Sequence, residues 1–267
     1  MIDRMEKDTK LTAARQQRVS AIVDYALLVG TPLAILVVWQ LLGNLGRLNL
    51  TIMPTPFQVV GSFASYIRSG MLSDNFFTSL HRVAFGFLLG GGSGLVLGIM
   101  LGLFPKFERA SAVVLGVIRP IPMVGLVPLF ILWFGIGELS KVLVIAIGAL
   151  WPVLLNTESG IRNVDAKHLE VARILKKDRI TILRRIILPS AVPSLLTGVR
   201  LGLSNAWRGI VAAEMVGASK GVGYLISYAR EMSQPAVMFM GLTIIGVIGI
   251  LIDILLLRIQ NRMLSWT

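Results

Sequence analysis

Residues 80–103 read LHRVAFGFLLGGGSGLVLGIMLGL, a run in which Arg82 is the one side chain that is fully charged at neutral pH. A helix needs about 20 mostly apolar residues to cross the hydrocarbon core of a bilayer, so this run predicts a membrane-spanning helix. Small residues let two helix backbones approach closely, and the run therefore also predicts a face for helix contact. That face carries Gly86, Gly90, Gly91, Gly92, Gly94, Gly98 and Gly102.

The rest of the chain contains five more apolar runs. The 267 residues are 55% hydrophobic and 15% charged, with a mean hydropathy of +0.77, which is far more apolar than an ordinary soluble domain. These features predict an all-α integral membrane protein with six transmembrane helices. The five further spans are predicted at 22–43, 111–134, 141–157, 191–215 and 237–257.

Prolines interrupt the run at 111–134. Pro120, Pro122 and Pro128 remove backbone hydrogen-bond donors, so we expect this span to be kinked or split. We also expect it to lie inside the bundle, where neighbouring helices satisfy the freed backbone groups. The connection at 45–79 is longer than a simple loop, and its apolar spacing predicts a short amphipathic helix that packs on the surface of the bundle.

Basic residues predict the orientation of the chain. Lysine and arginine number 26 against 14 acidic residues, and in a six-span arrangement most of those in loops fall on the side of the N-terminus. The positive-inside rule makes that side cytoplasmic. We therefore expect a cytoplasmic N-terminal segment at 1–21, a transmembrane domain at 22–258 and a cytoplasmic C-terminal tail at 259–267. The same distribution favours the lipid bilayer over nucleic acid as a partner.

The loop at 158–190 is the one long cytoplasmic connection between spans. Asp165 precedes a helical stretch with apolar residues at three-residue spacing, which predicts a stripe suited to docking on another protein. The stripe consists of Leu169, Ala172 and Leu175. Asp178 is a good N-cap for a second short helix, which we expect to end before Pro189. A DNA-binding hairpin is disfavoured because a segment of this length, tethered between two spans, is too short for its own core.

This loop resembles the EAA loop of ABC importer permeases. The family pattern, E-A-A-x-x-x-G followed by I-x-L-P, is matched by Glu170-Val171-Ala172 and by IILP at 186–189. Lys176 stands where the family has glycine, which permits a left-handed turn. We therefore expect the turn geometry to differ here, with Lys176 in a helical conformation.

Four other stretches extend the resemblance to the nitrate, sulfonate and taurine branch of these permeases. They are RPIP at 119–122, PLFILWFGIG at 128–137, GVRLGL at 198–203 and WRGIVAAEMVGASKGVGY at 207–224. The resemblance implies a type I ABC importer permease fold, with a cytoplasmic coupling-helix loop, in the bacterial inner membrane. It implies partnership with two cytoplasmic ABC ATPase subunits, a second permease subunit that forms a homodimer, and an extracytoplasmic solute-binding protein.

The resemblance also assigns roles to residues of the loop. It implies that the helix at 165–178 docks on the ATPase, with Glu170 and Ala172 at the contact. The docking set is Asp165, Leu169, Glu170, Val171, Ala172, Leu175, Lys176 and Asp178. ATP and Mg²⁺ would be bound by the partner ATPase, and this chain is expected to bind no cofactor or metal.

Charged side chains within the spans indicate a second candidate site. Such groups cost about 2.5 to 3.5 kcal/mol each at the bilayer centre, so they face protein or a water-filled path. The pathway candidates are Arg119, Met123, Trp207, Arg208 and Glu214. Either the arginines line a path for an anion, or Arg208 pairs with Glu214 and Arg119 caps backbone carbonyls. Arg82 and Arg200 lie nearer span ends, where we expect them to snorkel to the interface.

The predicted function is that of a permease subunit that translocates a small anion of nitrate, sulfonate or taurine type. The chain has no phosphate-binding G-x-x-x-x-G-K-[ST] loop, so ATP hydrolysis would be performed by a partner. An ATP-independent secondary transporter or channel is the alternative. A membrane-embedded enzyme is disfavoured because there are no cysteines, two histidines and no cluster of acidic residues within the spans.

Overall fold

The computed structural model describes residues 27–264, and every regular element in this range is a helix. The α-helices are α1 Leu27–Asn44, α2 Pro56–Arg68, α3 Met71–Leu103, α4 Pro105–Ile118, α5 Val127–Phe134, α6 Glu138–Arg162, α7 Ala166–Ile174, α8 Arg179–Ile182, α9 Leu188–Met215, α10 Val222–Glu231 and α11 Pro235–Met263. A 3₁₀ turn spans Met123–Leu126 and a π-helical turn spans Leu183–Ile187.

Length and apolarity identify the helices that can cross a membrane. Within the described residues these are α1, α3, α6, α11 and the continuous helix Arg179–Met215. The pair Pro105–Ile118 and Met123–Phe134, bent by 83°, adds a sixth crossing if the two helices form one broken span. Five of the predicted spans correspond to these helices and the sixth to the bent pair, although residues 22–26 of the first lie outside the described residues. Helix α3 begins at Met71, before the predicted span, and this added part carries the buried polar residues Asn75 and Ser79.

The third span is split, as its prolines predict. Helix α4 ends at Ile118, and the chain turns through Arg119 to Pro122 before the 3₁₀ turn and α5 begin. Pro120 and Pro122 cannot donate backbone hydrogen bonds, so a regular helix cannot continue across them. The split places Arg119 and Met123 at a break between two helices.

The core is built on close contacts between α3, α6 and α9. A Cβ added at Gly90 would lie 1.9 Å from the Ala146 carbonyl oxygen, and one at Gly94 would lie 2.6 Å from that of Leu150. These distances are below van der Waals contact, so only glycine allows α3 to pack this closely on α6. The predicted contact face is confirmed at these positions, whereas Gly92 has open space around it.

Helix α9 packs on the other side of α6. A Cβ added at Gly202 would lie 3.1 Å from the Ala149 carbonyl oxygen and 2.8 Å from the Val153 side chain. Trp207 is 1% exposed, and its indole Nε1 donates to the Ile245 carbonyl oxygen of α11 at 2.8 Å. Large apolar side chains between these helices complete the core, among them Val144, Ile145, Leu154 and Ile210.

The segment before α9 departs from the sequence prediction. The short helix that begins at Arg179 does not end before Pro189; it continues through the π-helical turn into α9. In that turn the Leu188 N–H donates to the Leu183 carbonyl oxygen, five residues earlier. A local π adjustment is one way in which a helix accommodates proline, so the helix passes Pro189 unbroken.

Residues 27–62 and 63–264 form two compact units. In the first unit, the Phe57 N–H donates to Gln40 Oε1 at 3.0 Å, which ties the start of α2 to α1. The Thr55 side chain packs against Gly43, where a Cβ would lie 2.4 Å from it. Helix α2 is the amphipathic helix predicted within 45–79, and its N-terminal turn belongs to this unit.

Candidate docking loop and solute groove

Helix α7 presents an apolar surface to the outside of the subunit. Its N-terminal turn is fixed by the Asp165 carboxylate, which accepts a hydrogen bond from the Lys167 N–H at 2.9 Å. Val171, Ile174 and Leu175 then project outward with exposed fractions of 55%, 79% and 61%. We call these three residues the apolar patch. Adjacent large apolar side chains left exposed outside the membrane spans mark a binding surface.

The apolar patch differs from the stripe predicted from the sequence. Leu169 is half-buried and Ala172 is 4% exposed, so these two residues face the loop itself. The docking contact predicted for Ala172 stays a prediction, although this side chain is buried in the subunit, whereas Glu170 is exposed beside the patch. Ile174 was missed by the sequence analysis, although its position three residues after Val171 places both on one side of the helix.

Lys176 ends α7 in the left-handed conformation, with a φ of 49°. The expectation of a helical conformation is therefore wrong. The chain must reverse direction after α7, and the Lys177 N–H closes the turn by donating to the Ala172 carbonyl oxygen at 3.0 Å. This is the bonding pattern that usually ends a helix at glycine, so the lysine occupies a turn in which glycine would be unstrained.

Asp178 is the N-cap of α8, as predicted. Its carboxylate accepts hydrogen bonds from the Thr181 backbone N–H at 3.1 Å and from the Thr181 hydroxyl at 2.5 Å. These bonds, that of the hydroxyl above all, favour the ionised form and hold the pKa of Asp178 below its usual value. The cap fixes where the second helix of the loop begins.

A groove of about 410 Å³ separates α7 from the helix that follows it. Its walls combine apolar side chains with the basic Lys177 and Arg185, and Ala172 lies among them. Other lining residues are His168, Leu175, Thr181 and Ile186. The loop thus offers a protruding apolar patch beside a basic groove, a combination suited to a protein partner with an apolar cleft and acidic side chains.

A buried carboxylate joins the ends of four helices. Glu214 on α9 is 1% exposed, and its oxygens accept hydrogen bonds from Ser79 Oγ at 2.8 Å, the Gly223 N–H at 2.9 Å and Arg82 Nη1 at 2.7 Å. Arg82 also donates two hydrogen bonds to Glu138, both at 2.6 Å. A buried charge is tolerated when it is paired and hydrogen-bonded, and this one satisfies both conditions.

The structure contradicts one expectation and one of the two alternatives about these arginines. Arg82 does not snorkel to the interface: it is 3% exposed and pairs with Glu214 inside the protein. Arg208 is not the partner of Glu214; it is exposed, and its Nε donates to the Ser204 carbonyl oxygen at 3.1 Å. The partner of Glu214 lies 132 residues away in sequence, a separation that local pattern reasoning does not reach.

The same network fixes the turn between α9 and α10. The Lys220 carbonyl oxygen accepts a hydrogen bond from Arg82, the Gly221 N–H donates to Asn75 Oδ1 at 2.7 Å, and the Val222 N–H donates to Ser79 Oγ at 2.8 Å. Gly221 has a φ of 124°, and a Cβ there would lie 2.3 Å from the Glu214 carboxylate. Glycine is therefore required at this turn.

A second groove, of about 460 Å³, lies beside the break in the third span. We call it the solute groove. Arg119 and Met123 line it from the break, Trp151 and Asn156 line it from α6, and Asn205 lines it from α9. Among the described residues Arg119 has no acidic partner, so the groove carries an uncompensated positive charge. Such a site attracts anions.

The remaining predicted pathway residues do not line the solute groove. Trp207 and Glu214 are buried, and their polar atoms form hydrogen bonds within the subunit. Arg208 lies on an exposed face of α9. Arg200 lies 3.3 Å from the Asp253 carboxylate of α11, which accounts for its position without snorkelling.

Five helices that can cross a membrane, a bent pair that can form a sixth span, an exposed helix α7 and a charged groove at the bent pair are features expected of a membrane transport subunit. The comparison with protein families agrees: residues 94–265 match the model of the binding-protein-dependent transport system inner membrane component. The chain belongs to this family, and within it to the ABC importer permeases of the sulfonate, nitrate and taurine branch. It is thus an integral inner-membrane transport subunit and not an enzyme.

Individual relatives cover most of the chain. A putative aliphatic sulfonates transport permease protein of Bacillus subtilis is 44% identical over 88% of this chain and 85% of its own length. The taurine transport system permease protein of Escherichia coli is 30% identical over 89% of this chain and 88% of its own length. Among solved structures, an amino acid ABC transporter covers 75% of this chain and 97% of its own, with 18% identity and a TM-score of 0.64, which supports the type I permease fold.

Proposed function

We propose that this chain forms the membrane pathway of an ABC importer that takes up a small anion delivered by an extracytoplasmic binding protein. Two copies of the chain would form the pathway, and two cytoplasmic ATPase subunits would bind ATP and Mg²⁺ and drive the cycle. Both termini and the loop at 158–190 would face the cytoplasm, in agreement with the distribution of basic residues.

The observation that carries the proposal is the apolar patch on α7. Val171, Ile174 and Leu175 are exposed on a short helix between two spans, where neither the lipid core nor the protein core covers them. Burial of such side chains contributes about 1.5 to 3 kcal/mol each, so docking into a cleft of an ATPase gives them the burial that the subunit alone does not. Movement of the ATPases would then act directly on α7.

The proposed coupling surface also includes polar residues of the loop. Glu170 is exposed beside the patch, and Lys177 and Arg185 line the groove behind it. Charged residues at the rim of an interface contribute more to orientation and partner choice than to affinity. We therefore propose that the apolar patch provides most of the affinity for the ATPase and that Glu170 orients the ATPase on α7.

Anion passage is supported by the charges at the membrane-spanning helices. Arg119 lines the solute groove without an acidic partner among the described residues, and Arg208 is exposed on α9. Positive charge along a path lowers the energy of an anion that would otherwise be unfavourable in the membrane. Nitrate, sulfonates and taurine-like solutes are the classes that the relatives' names indicate.

The test is to purify the chain with its ATPase subunits and measure co-purification and ATP hydrolysis stimulated by loaded binding protein. Ile174→Glu places a carboxylate in the apolar patch and should abolish both co-purification and stimulated ATP hydrolysis. Glu170→Lys should lower the stimulated ATP hydrolysis more than it lowers co-purification. Ala166→Glu adds the same charge at the first residue of α7, outside the patch, and should leave both measurements near the wild-type level.

Two results would contradict the proposal. If the wild-type chain takes up solute in proteoliposomes without ATPase or ATP, it is a secondary transporter or channel. If Ile174→Glu and Ala166→Glu lower ATPase binding equally, the apolar patch is not the docking surface, and coupling must be sought elsewhere on the subunit.

A further inference from the structure

An ion pair joins the start of α4 to the end of α6, at the end of α6 that leads into the docking helix α7. Arg162, the last residue of α6, donates from Nη1 to the carboxylate of Glu108 on α4. Among the described side chains this is the one hydrogen bond from α4 to another helix. We propose that Arg162 and Glu108 are positioning residues that link α7 to the broken span, so that a displacement of α7 by the ATPase reaches the solute groove.

The loose packing of α4 makes its position sensitive to this ion pair. None of the residues of α4 is buried. Phe107, Ser111 and Leu115 are half-buried and follow one another at four-residue spacing, so they form one stripe on the helix, and most of the other side chains are exposed. Segments with few buried apolar contacts move at a low cost in free energy. The position of α4 therefore depends strongly on the contacts at its ends.

Both ends of α4 are places where the chain changes direction. Phe104 joins α4 to α3 with an extended backbone, and Pro105 cannot donate the next helical hydrogen bond. The other end is the break that begins at Arg119, which lines the solute groove. From Glu108 to Arg119 the helix rises by about 16 Å. A shift of Glu108 is therefore carried along α4 to the groove.

Arg162 is also close to the docking helix along the chain. Residues 163–165 alone separate it from Ala166, where α7 begins. Asn163 closes α6: its N–H donates to the Ser159 carbonyl oxygen at 2.9 Å, and its Nδ2 donates to Ser159 Oγ at 2.9 Å. Because this connection is short and hydrogen-bonded, a displacement of α7 acts on the last turn of α6, and so on Arg162.

A second carboxylate next to Arg162 provides an internal comparison. Glu158 Oε1 lies 3.3 Å from Arg162 Nη1, but Glu158 is one turn earlier on the same helix. The Arg162 side chain is 46% exposed, and those of Glu108 and Glu158 are 30% and 22% exposed. Ion pairs exposed to this extent contribute little to stability. Loss of the Glu108 charge should therefore leave the fold intact and remove the link between helices, whereas loss of the Glu158 charge removes a contact within α6.

This inference rests on the proposed importer function, and the experiment keeps the two separate. The permease–ATPase complex is placed in proteoliposomes with binding protein, and uptake of radiolabelled taurine, ethanesulfonate and nitrate is measured together with ATP hydrolysis. The solute with the highest wild-type uptake is then used for the variants. The quantity compared is the number of solute molecules taken up per ATP hydrolysed.

Glu108→Gln should lower the uptake per ATP about fivefold, the lower end of the usual range for coupling between two sites. Co-purification of the ATPase and stimulated ATP hydrolysis should stay near the wild-type level, because the apolar patch is unchanged. Glu158→Gln is the matched control: it removes the same charge beside the same arginine and should keep the wild-type uptake per ATP. Exchange of the pair, Glu108→Arg with Arg162→Glu, again places one arginine between two carboxylates and should recover most of the loss.

The outcomes are distinct. Equal uptake per ATP for Glu108→Gln and Glu158→Gln, or no recovery in the exchanged pair, overturns the proposed link. It is also overturned if Glu108→Gln lowers ATPase binding, or if its apparent Tm falls more than about 2 °C below that of Glu158→Gln, since the pair would then serve docking or stability. If the wild-type complex shows no ATP-dependent uptake of any of the three solutes, the importer function itself fails.

Discussion

Replacement of Arg82 by methionine should destabilise the subunit strongly, because it leaves the Glu214 carboxylate buried without its guanidinium partner. Glu214 would retain its hydrogen bonds from Ser79 and Gly223, but not the charge that compensates it. The Lys220 carbonyl oxygen would lose its hydrogen bond as well. The second partner of Arg82, Glu138, has a side chain that is 66% exposed, so water can solvate it after the change.

The expected magnitude follows from the burial of the pair. Removal of one partner of a buried ion pair destabilises a protein by about 3 to 5 kcal/mol. The Glu214 side chain is 0% exposed and that of Arg82 is 4% exposed, so the full range applies to this pair. The exposed contact with Glu138 adds at most about 1 kcal/mol. The total is about 3 to 6 kcal/mol, and with about 2 to 4 °C per kcal/mol for a chain of this size the apparent Tm should fall by about 6 to 24 °C.

The assay is thermal unfolding of the purified subunit, followed by tryptophan fluorescence in one detergent. The double variant Arg82→Met with Glu214→Gln removes both charges and should recover at least half of the loss, because no uncompensated charge remains buried. Arg208→Met is the matched control, since Arg208 is exposed and, among the described residues, its side chain bonds only to a carbonyl of its own helix. It should shift the apparent Tm by less than about 2 °C.

The reasoning would be refuted by either of two results. If Arg82→Met shifts the apparent Tm no more than Arg208→Met does, Arg82 is not a buried partner in the protein. If the double variant is as unstable as the sum of the two single variants, then the two side chains are not energetically coupled, and the destabilisation has another cause.

Three further substitutions test other features of the structure. Gly90→Ala places a Cβ within 1.9 Å of a carbonyl oxygen of α6 and should lower the apparent Tm by several degrees, whereas Gly92→Ala meets open space and should raise it slightly through better helix propensity. Lys176→Gly removes the backbone strain of a lysine in the left-handed conformation. It should raise the free energy of local opening of the turn, measured by hydrogen exchange, by about 1 kcal/mol. Lys177→Gly should not raise this free energy. The pKa of Asp178 is lower in the folded loop than in the unfolded chain. The stability that its cap contributes is therefore complete above the pKa of the unfolded chain and is lost as the pH falls through the pKa of the folded loop. Hydrogen-exchange protection of the α8 amides should fall on acidification, and Asp178→Asn should remove this pH dependence.

Sequence alone determined the features that depend on neighbouring residues. The apolar runs defined six crossings, since hydrophobic length is a property of a continuous segment. Pro120 and Pro122 located the break in the third span, because each proline acts on its own backbone bonds. Asp178 marked the start of α8 by the same local chemistry, and the motif at 170–189 identified the family.

Tertiary structure decided which residues meet across the bundle. The pairing of Arg82 with Glu214 depends on the glycine face that brings α3 against α6 and α9, so it could not be derived from either residue alone. The patch on α7 likewise depends on which side of the helix packs on its loop: Ala172 is buried and Ile174 exposed, although both are apolar. Sequence patterns specify that a side chain is apolar or charged, whereas its partner is set by the three-dimensional packing of segments far apart in the chain.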